Sequence, residues 1–232
     1  MGDGGRPYTL VIEGATYEGS VAVLRGAEVV CERGLSGEDT GVARAGRGER
    51  LMPAIAECFA EAGLRGEEIG RLVCGAGPGS FTSLRIAGSV AKGLAVGYGV
   101  PLFAVSSLLL GVSGAKPPLP PGEYLSVLDA MRGEFFASRI VYRPDSGEYS
   151  AEPARILSRA DLDDFRAREK STRVVGPGQE IDAHPHARGV ARILDQVMKS
   201  EPVDLAGWEP DYGRLAEAQV RWEAVHGRPL TA

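Results

Sequence analysis

Long apolar runs are missing from this chain of 232 residues, and no stretch approaches the ~18 consecutive apolar residues that a membrane-spanning helix requires. Cysteine is scarce. Cys31, Cys58 and Cys74 are odd in number, each lies in an apolar context, and no Cys-x-x-Cys pair exists. Buried, reduced thiols are the economical reading. Histidine is limited to His184, His186 and His226. His184-Pro-His186 is expected on a surface loop, since two imidazoles are too few for a closed metal site. No histidine stands near Ser80 in sequence to activate it as a nucleophile. Basic charge is short too: 26 Lys and Arg oppose 31 Asp and Glu, a net charge of -5. That balance argues against a broad nucleic-acid surface. The first residues hold no apolar signal region, and Arg6 occupies the Ser/Thr position of a myristoylation motif. A cytoplasmic location, away from membranes, is expected.

What is present is globular: 44% of residues are hydrophobic and 25% charged, enough for one large domain or two ordinary ones. Apolar, β-branched runs predict strands over 8–13, 19–24 and 28–31, joined as a meander, with a loop over 33–48. Helical spacing of Leu51, Ile55, Cys58, Phe59 and Ala62 predicts a helix over 49–62, and Met52 and Ala56 widen its stripe. A strand over 71–74, a helix to residue 97 and a strand over 100–105 follow. Prolines 117, 118, 120 and 121 mark a crossing over 111–122. Beyond it come strands over 124–129, 134–142 and 148–157. Ser158 with Asp161 forms a capping box for a helix to residue 168, before a strand over 172–176 and a helix over 187–199. The chain thus reads as α/β, with two lobes at 1–106 and 107–211, each built on a β-β-β-α-β-α core. A last helix over 212–226, burying Leu215, Ala218, Gln219 and Trp222, is expected to complete the first lobe.

The most informative stretch is 74–95. A strand ends there at Gly75, passes through Gly77, Pro78 and Gly79, and enters a helix at Ser80. Strand, glycine turn and helix N-terminus form a natural anion cradle. Yet a dinucleotide fingerprint needs glycine where Ser80 or Thr82 stands, and a phosphate loop needs a Lys-Ser/Thr pair where Ser80-Phe81 follows. Phosphate cradle and tight structural turn both stand as readings. The helix itself is rich in small residues: Gly88, Ser89, Ala91, Gly93, Ala95 and Gly97. They suit close packing, against its own sheet or against another subunit. Glu13 and Asp129 end the first strand of each lobe, where acids orient metal-bound phosphates across a cleft or cap turns. Glu13, Gly77, Gly79, Ser80 and Asp129 are the weak cleft candidates. No catalytic or metal-binding residue is assigned.

The duplicated order resembles the actin-like, ribonuclease-H-like ATPase fold. Within it, Gly77-Pro-Gly-Ser-Phe-Thr-Ser-Leu-Arg-Ile86 with Ala91-Lys-Gly-Leu94 resembles the TsaB (YeaZ) family. Leu128-Asp-Ala-Met-Arg-Gly-Glu134 and Glu209-Pro-Asp-Tyr-Gly-Arg-Leu-Ala-Glu-Ala-Gln219 are similar to two further segments of that family. The resemblance implies a non-catalytic subunit in bacterial synthesis of tRNA threonylcarbamoyladenosine. Its partner there is TsaD, which transfers threonylcarbamoyl to adenosine 37 of tRNAs reading ANN codons. A small ATPase, TsaE, assists; tRNA is met mainly through the complex, and a homodimer forms without TsaD. No firmly bound cofactor is implied, and ATP or ADP with magnesium is expected only weakly, at the complex. The helices 49–62 and 82–97 are the implied contact, with Leu51, Met52, Ile55, Phe59, Leu84, Arg85, Gly88, Ala91, Lys92 and Ala95 as interface residues. Departures agree with a non-catalytic role: Glu13-Gly14-Ala15 replaces Asp-Thr-Ser, and 47–53 lacks the His-x-x-x-His of catalytic members. Ser83 and Ala87 replace two glycines. The alternatives are a small actin-like ATPase or kinase using Glu13 and Asp129, and an inactive glycoprotease-like homologue.

Overall fold

The computed structural model describes residues 6–35, 50–214 and 225–227. Tyr8–Glu13 forms β1, Ser20–Arg25 β2 and Glu28–Gly34 β3, an antiparallel meander. Gly26, at φ +59°, reverses the chain between β2 and β3, a conformation open to glycine without a Cβ penalty. β3 runs on through Arg33 and Gly34, beyond the loop start expected at residue 33. α1, Leu51–Ala62, buries Leu51, Ala54, Ile55 and Cys58 at the i, i+3, i+4, i+7 spacing, and Gly63 closes it in the left-handed region. β4, Ile69–Gly75, and β5, Leu102–Val105, run parallel to β1 and flank α2, Phe81–Tyr98. The sheet order is β3-β2-β1-β4-β5.

β1 is central and apolar on both faces, so its run is continuous rather than alternating. Leu10 and Ile12 face α1 and α2, while Val11 faces a second core shared with the other sheet. That shared core holds α3, Ser107–Ser113, and α5, Val190–Met198. α3 takes the first part of what was expected as a proline-rich crossing. Six of its seven residues are buried, so it offers no polar face for a helical period to reveal.

The second sheet comprises β6 (Gly122–Asp129), β7 (Glu134–Tyr142), β8 (Tyr149–Ala151), β9 (Arg155–Ser158), β10 (Arg173–Gly176) and β11 (Ile181–Asp182). Its order is β11-β10-β6-β7-β8, with β9 also on β7. β8 and β9 split the single strand expected over 148–157. Pro153 lies between them and has no N–H for the ladder. α4, Arg159–Arg168, starts at the expected capping box, where the Asp161 N–H donates to Ser158 Oγ at 3.1 Å and the Ser158 N–H to Asp161 Oδ2 at 3.0 Å. The helix expected over 187–199 is a 3-10 turn, Ala187–Gly189, leading into α5. With β8 and β9 sharing one place, both sheets have the same strand order and the same mixture of antiparallel and parallel pairs. Leu215, Ala218, Gln219 and Trp222 of the expected last helix lie outside the described residues.

Candidate functional site: a closed glycine turn beside an outward helical face

The glycine turn at the end of β4 is filled by its own chain. The Ser80 N–H at the mouth of α2 donates to Ala15 O at 2.7 Å, and the Gly77 N–H donates to Ser107 Oγ at 3.1 Å. Gly77 O accepts from the Ser107 N–H, and Ala76 O accepts from the Asp211 N–H. Gly77 stands at φ +90° with the Asp211 carbonyl where a Cβ would project, and at Gly79 that space holds the Ala15 backbone. The glycines are therefore required by close approach of this chain to itself. Ser80 sits at the N-cap position without capping a backbone amide; its hydroxyl accepts from Ser83 Oγ at 3.1 Å.

Glu13 is only 1% exposed. Its Oε1 accepts from the Ala15 N–H at 2.6 Å and its Oε2 from Ser107 Oγ at 3.0 Å. Burial pushes its carboxyl up to about 7, against the lowering by the Ala15 amide and the Ser107 hydroxyl. Asp129, by contrast, is exposed and accepts from the Met131 N–H at 2.7 Å, capping the turn that holds Met131 and Arg132 at positive φ. Among the described residues Glu13 and Asp129 share no hydrogen-bond partner, and Asp129 caps its own turn. Ser107 joins Glu13 to the glycine turn and was missed, because α3 itself was missed.

Among the described residues no three His, Cys, Asp or Glu side chains converge as a metal site would need. His184 and His186 lie on the loop between β11 and the Ala187–Gly189 turn, as expected, and are half-buried there. The Arg188 N–H donates to His186 Nδ1 at 3.2 Å, and burial together with the Arg188 charge pushes that imidazole down to about 4. No described helix is long and apolar enough to cross a membrane.

The helical face differs from expectation in which residues it presents. Leu51, Ile55, Leu84, Ala91 and Ala95 are buried in this chain's own cores. Gly88 is covered as well: a Cβ there would meet Pro210 and Trp208. After α5 the chain returns to the first sheet, with the Val203 N–H donating to Leu102 O, and lays Trp208 along α2. Lys92 Nζ donates to Trp208 O at 3.0 Å, so it is committed within the chain. Arg85 lies over the Phe81 ring, which packs on Tyr212. The small-residue stripe through Gly88, Ala91 and Ala95 thus receives its own sheet and the 208–210 segment.

What does face outward keeps only Met52, Phe59 and Arg85 of the expected interface residues and adds others. Met52 is 50% exposed and Val96 68%, with Ala56, Ala60, Gly93 and Gly97 also exposed and Phe59 and Leu94 half-buried. Gly93 and Gly97 have open space where a Cβ would stand.

Two sheets of identical mixed order, with helices between and outside them, define an actin-like, ribonuclease-H-like α/β protein. A family model described as "TsaD: tRNA N6-adenosine threonylcarbamoyltransferase" matches residues 42–164. The tRNA threonylcarbamoyladenosine biosynthesis protein TsaB of Bacillus subtilis is 26% identical over 230 residues, covering 92% of this chain and 96% of its own. The protein of the same name from Escherichia coli is 28% identical over 137 residues, 59% of each chain. A solved structure titled "YeaZ from Pseudomonas aeruginosa" matches the fold with a TM-score of 0.71 at 21% identity, covering 88% of this chain and 99% of that one. The chain belongs to the TsaB/YeaZ family and carries a TsaD-type domain.

Proposed function

We propose that the chain works in tRNA threonylcarbamoyladenosine biosynthesis as a non-catalytic subunit, seating a TsaD-type partner on the outer faces of α1 and α2. The partner performs the transfer to adenosine 37 of tRNAs reading ANN codons, and this chain organises it. A TsaE-type ATPase assists, tRNA is met through the complex, and the same face closes a homodimer when the partner is absent. ATP or ADP with magnesium belongs to the complex, not to this chain alone.

The observation that carries this reading is the closed turn. The Ser80 and Gly77 amides that a cradle would aim at a phosphate are bonded to Ala15 O and Ser107 Oγ. Meanwhile the outward apolar residues of α1 and α2 include Met52, Val96 and two glycines with open space above them. Reconstitution tests it. A purified TsaD-type partner, TsaE-type ATPase and threonylcarbamoyl-adenylate should modify tRNA only when this chain is added. The chain alone should not hydrolyse magnesium ATP, and steady turnover by it would overturn the non-catalytic part.

A further inference from the structure

Cys31 on β3 and Cys58 on α1 stand 27 positions apart in sequence, and each reads alone as an inert buried thiol. The fold brings their sulfurs to 3.0 Å. Cys31 also lines a cavity of about 650 Å³ whose wall includes Val29, Glu32, Arg33, Lys116, Arg188 and Arg192. Cys58 does not line it and is fully buried behind. Arg33 Nη1 donates to Cys31 Sγ at 3.4 Å, so a guanidinium faces the sulfur that the cavity reaches. Arg33 is held there by Glu61 and Glu57 on α1. A guanidinium so placed can hold a peroxide oxygen beside the sulfur through charge-assisted hydrogen bonds.

Elsewhere on the cavity wall, Glu32 is paired with Lys116 and Arg188, while Arg192 donates to Ser113 O and has no carboxylate partner among the described residues. The lining carries more positive than negative groups. Burial and the Cys31 hydrogen bond push the Cys58 thiol up, so it stays protonated until called on. Cys74 is buried on β4, its S–H donating to Gly75 O.

We propose that Cys31 and Cys58 form a redox-active dithiol, which a small hydroperoxide entering this cavity oxidises to a disulfide. In the first step the Cys31 thiolate attacks one peroxide oxygen. The O–O bond breaks, Cys31 becomes a sulfenic acid, and the departing oxygen takes up the proton that the Cys31 thiol gave up, leaving as water from hydrogen peroxide or as the alcohol from an organic hydroperoxide. In the second step the Cys58 sulfur attacks the Cys31 sulfur, forming S–S and breaking S–O, and water leaves with the Cys58 proton. Two electrons pass from the dithiol to the peroxide. A disulfide has sulfurs ~2.0 Å apart, so the pair closes by about 1 Å. The bond would tie α1 to β3.

The full chain, treated with a few equivalents of hydrogen peroxide and digested without reductant, tests this by peptide mass spectrometry. The expected product links the Cys31 peptide to the Cys58 peptide, with Cys74 unmodified. Cys58→Ser should halt at a Cys31 sulfenic acid that dimedone traps, and Arg33→Ala should slow disulfide formation several-fold. Should Cys58→Ser fail to fold, the wild-type cross-link decides alone. Absence of a linked peptide under conditions that oxidise glutathione would overturn the proposal, as would oxidation of Cys74 as fast as Cys31.

Discussion

Glu13 gives the sharpest test at the scale of one residue. Its carboxyl is raised from 4.5 to about 7 by burial, so the folded state holds the proton more tightly than the unfolded chain. Its contribution is full below about pH 4.5 and is lost as pH rises through about 7. The shift corresponds to about 3 kcal/mol at most. Urea unfolding of wild type and Glu13→Gln, at about pH 5 and about pH 8, should show wild type losing about 1–3 kcal/mol relative to the variant. A difference that does not change with pH would contradict the burial argument. Ser107→Ala removes the hydroxyl that joins Glu13 to the Gly77 amide. It should cost about 1–3 kcal/mol, read from the denaturation midpoint. Sequence alone exposed Glu13 as a strand-end acid but not its partner, since Ser107 lies 94 positions away. The Cys31–Cys58 approach was hidden for the same reason: spacing along the chain carries no record of which strand a helix will cover.

At the scale of elements, α2 shows where a stripe of small residues misleads. Its composition was legible, and so was the reason, close packing. The occupant was not. Gly88 receives Pro210 and Trp208, from a segment more than a hundred residues downstream with no helical or strand period to announce it. Gly88→Leu should therefore destabilise the fold by about 1–3 kcal/mol through overpacking. Gly93→Ala, with open space at the Cβ position, should stabilise by about 1 kcal/mol through helix propensity. Thermal unfolding of the two variants checks both signs, and equal effects would show that the two faces are not distinguished as described. The strands that were legible were those with β-branched runs, such as β1 and β7. α3 escaped because it is short and buried all round, and the single strand expected over 148–157 is two because Pro153 has no N–H to carry the ladder between β8 and β9.

For the whole molecule, the duplicated topology was readable because each sheet keeps its first strands in uninterrupted order, β1–β3 and β6–β8, before its helices begin. How α3, α5 and the shared core join the two sheets was not, since those contacts link residues across the whole chain. The joined body leaves the outer faces of α1 and α2 at one end, on the side of the first sheet away from the second. A partner seated there would cover Met52 and Val96, which stand 50% and 68% exposed in the described chain. A charge at either position costs little in the free chain and leaves an unpaired, desolvated group in a complex. Co-expression with a TsaD-type partner, followed by size-exclusion chromatography, measures this directly. Wild type should elute with the partner as one species, whereas the Met52→Glu/Val96→Glu double variant should elute apart from it with its own unfolding transition unchanged. Co-elution of the double variant as firm as that of wild type would contradict the assignment of the α1–α2 face, and no complex with wild type would contradict the subunit role itself.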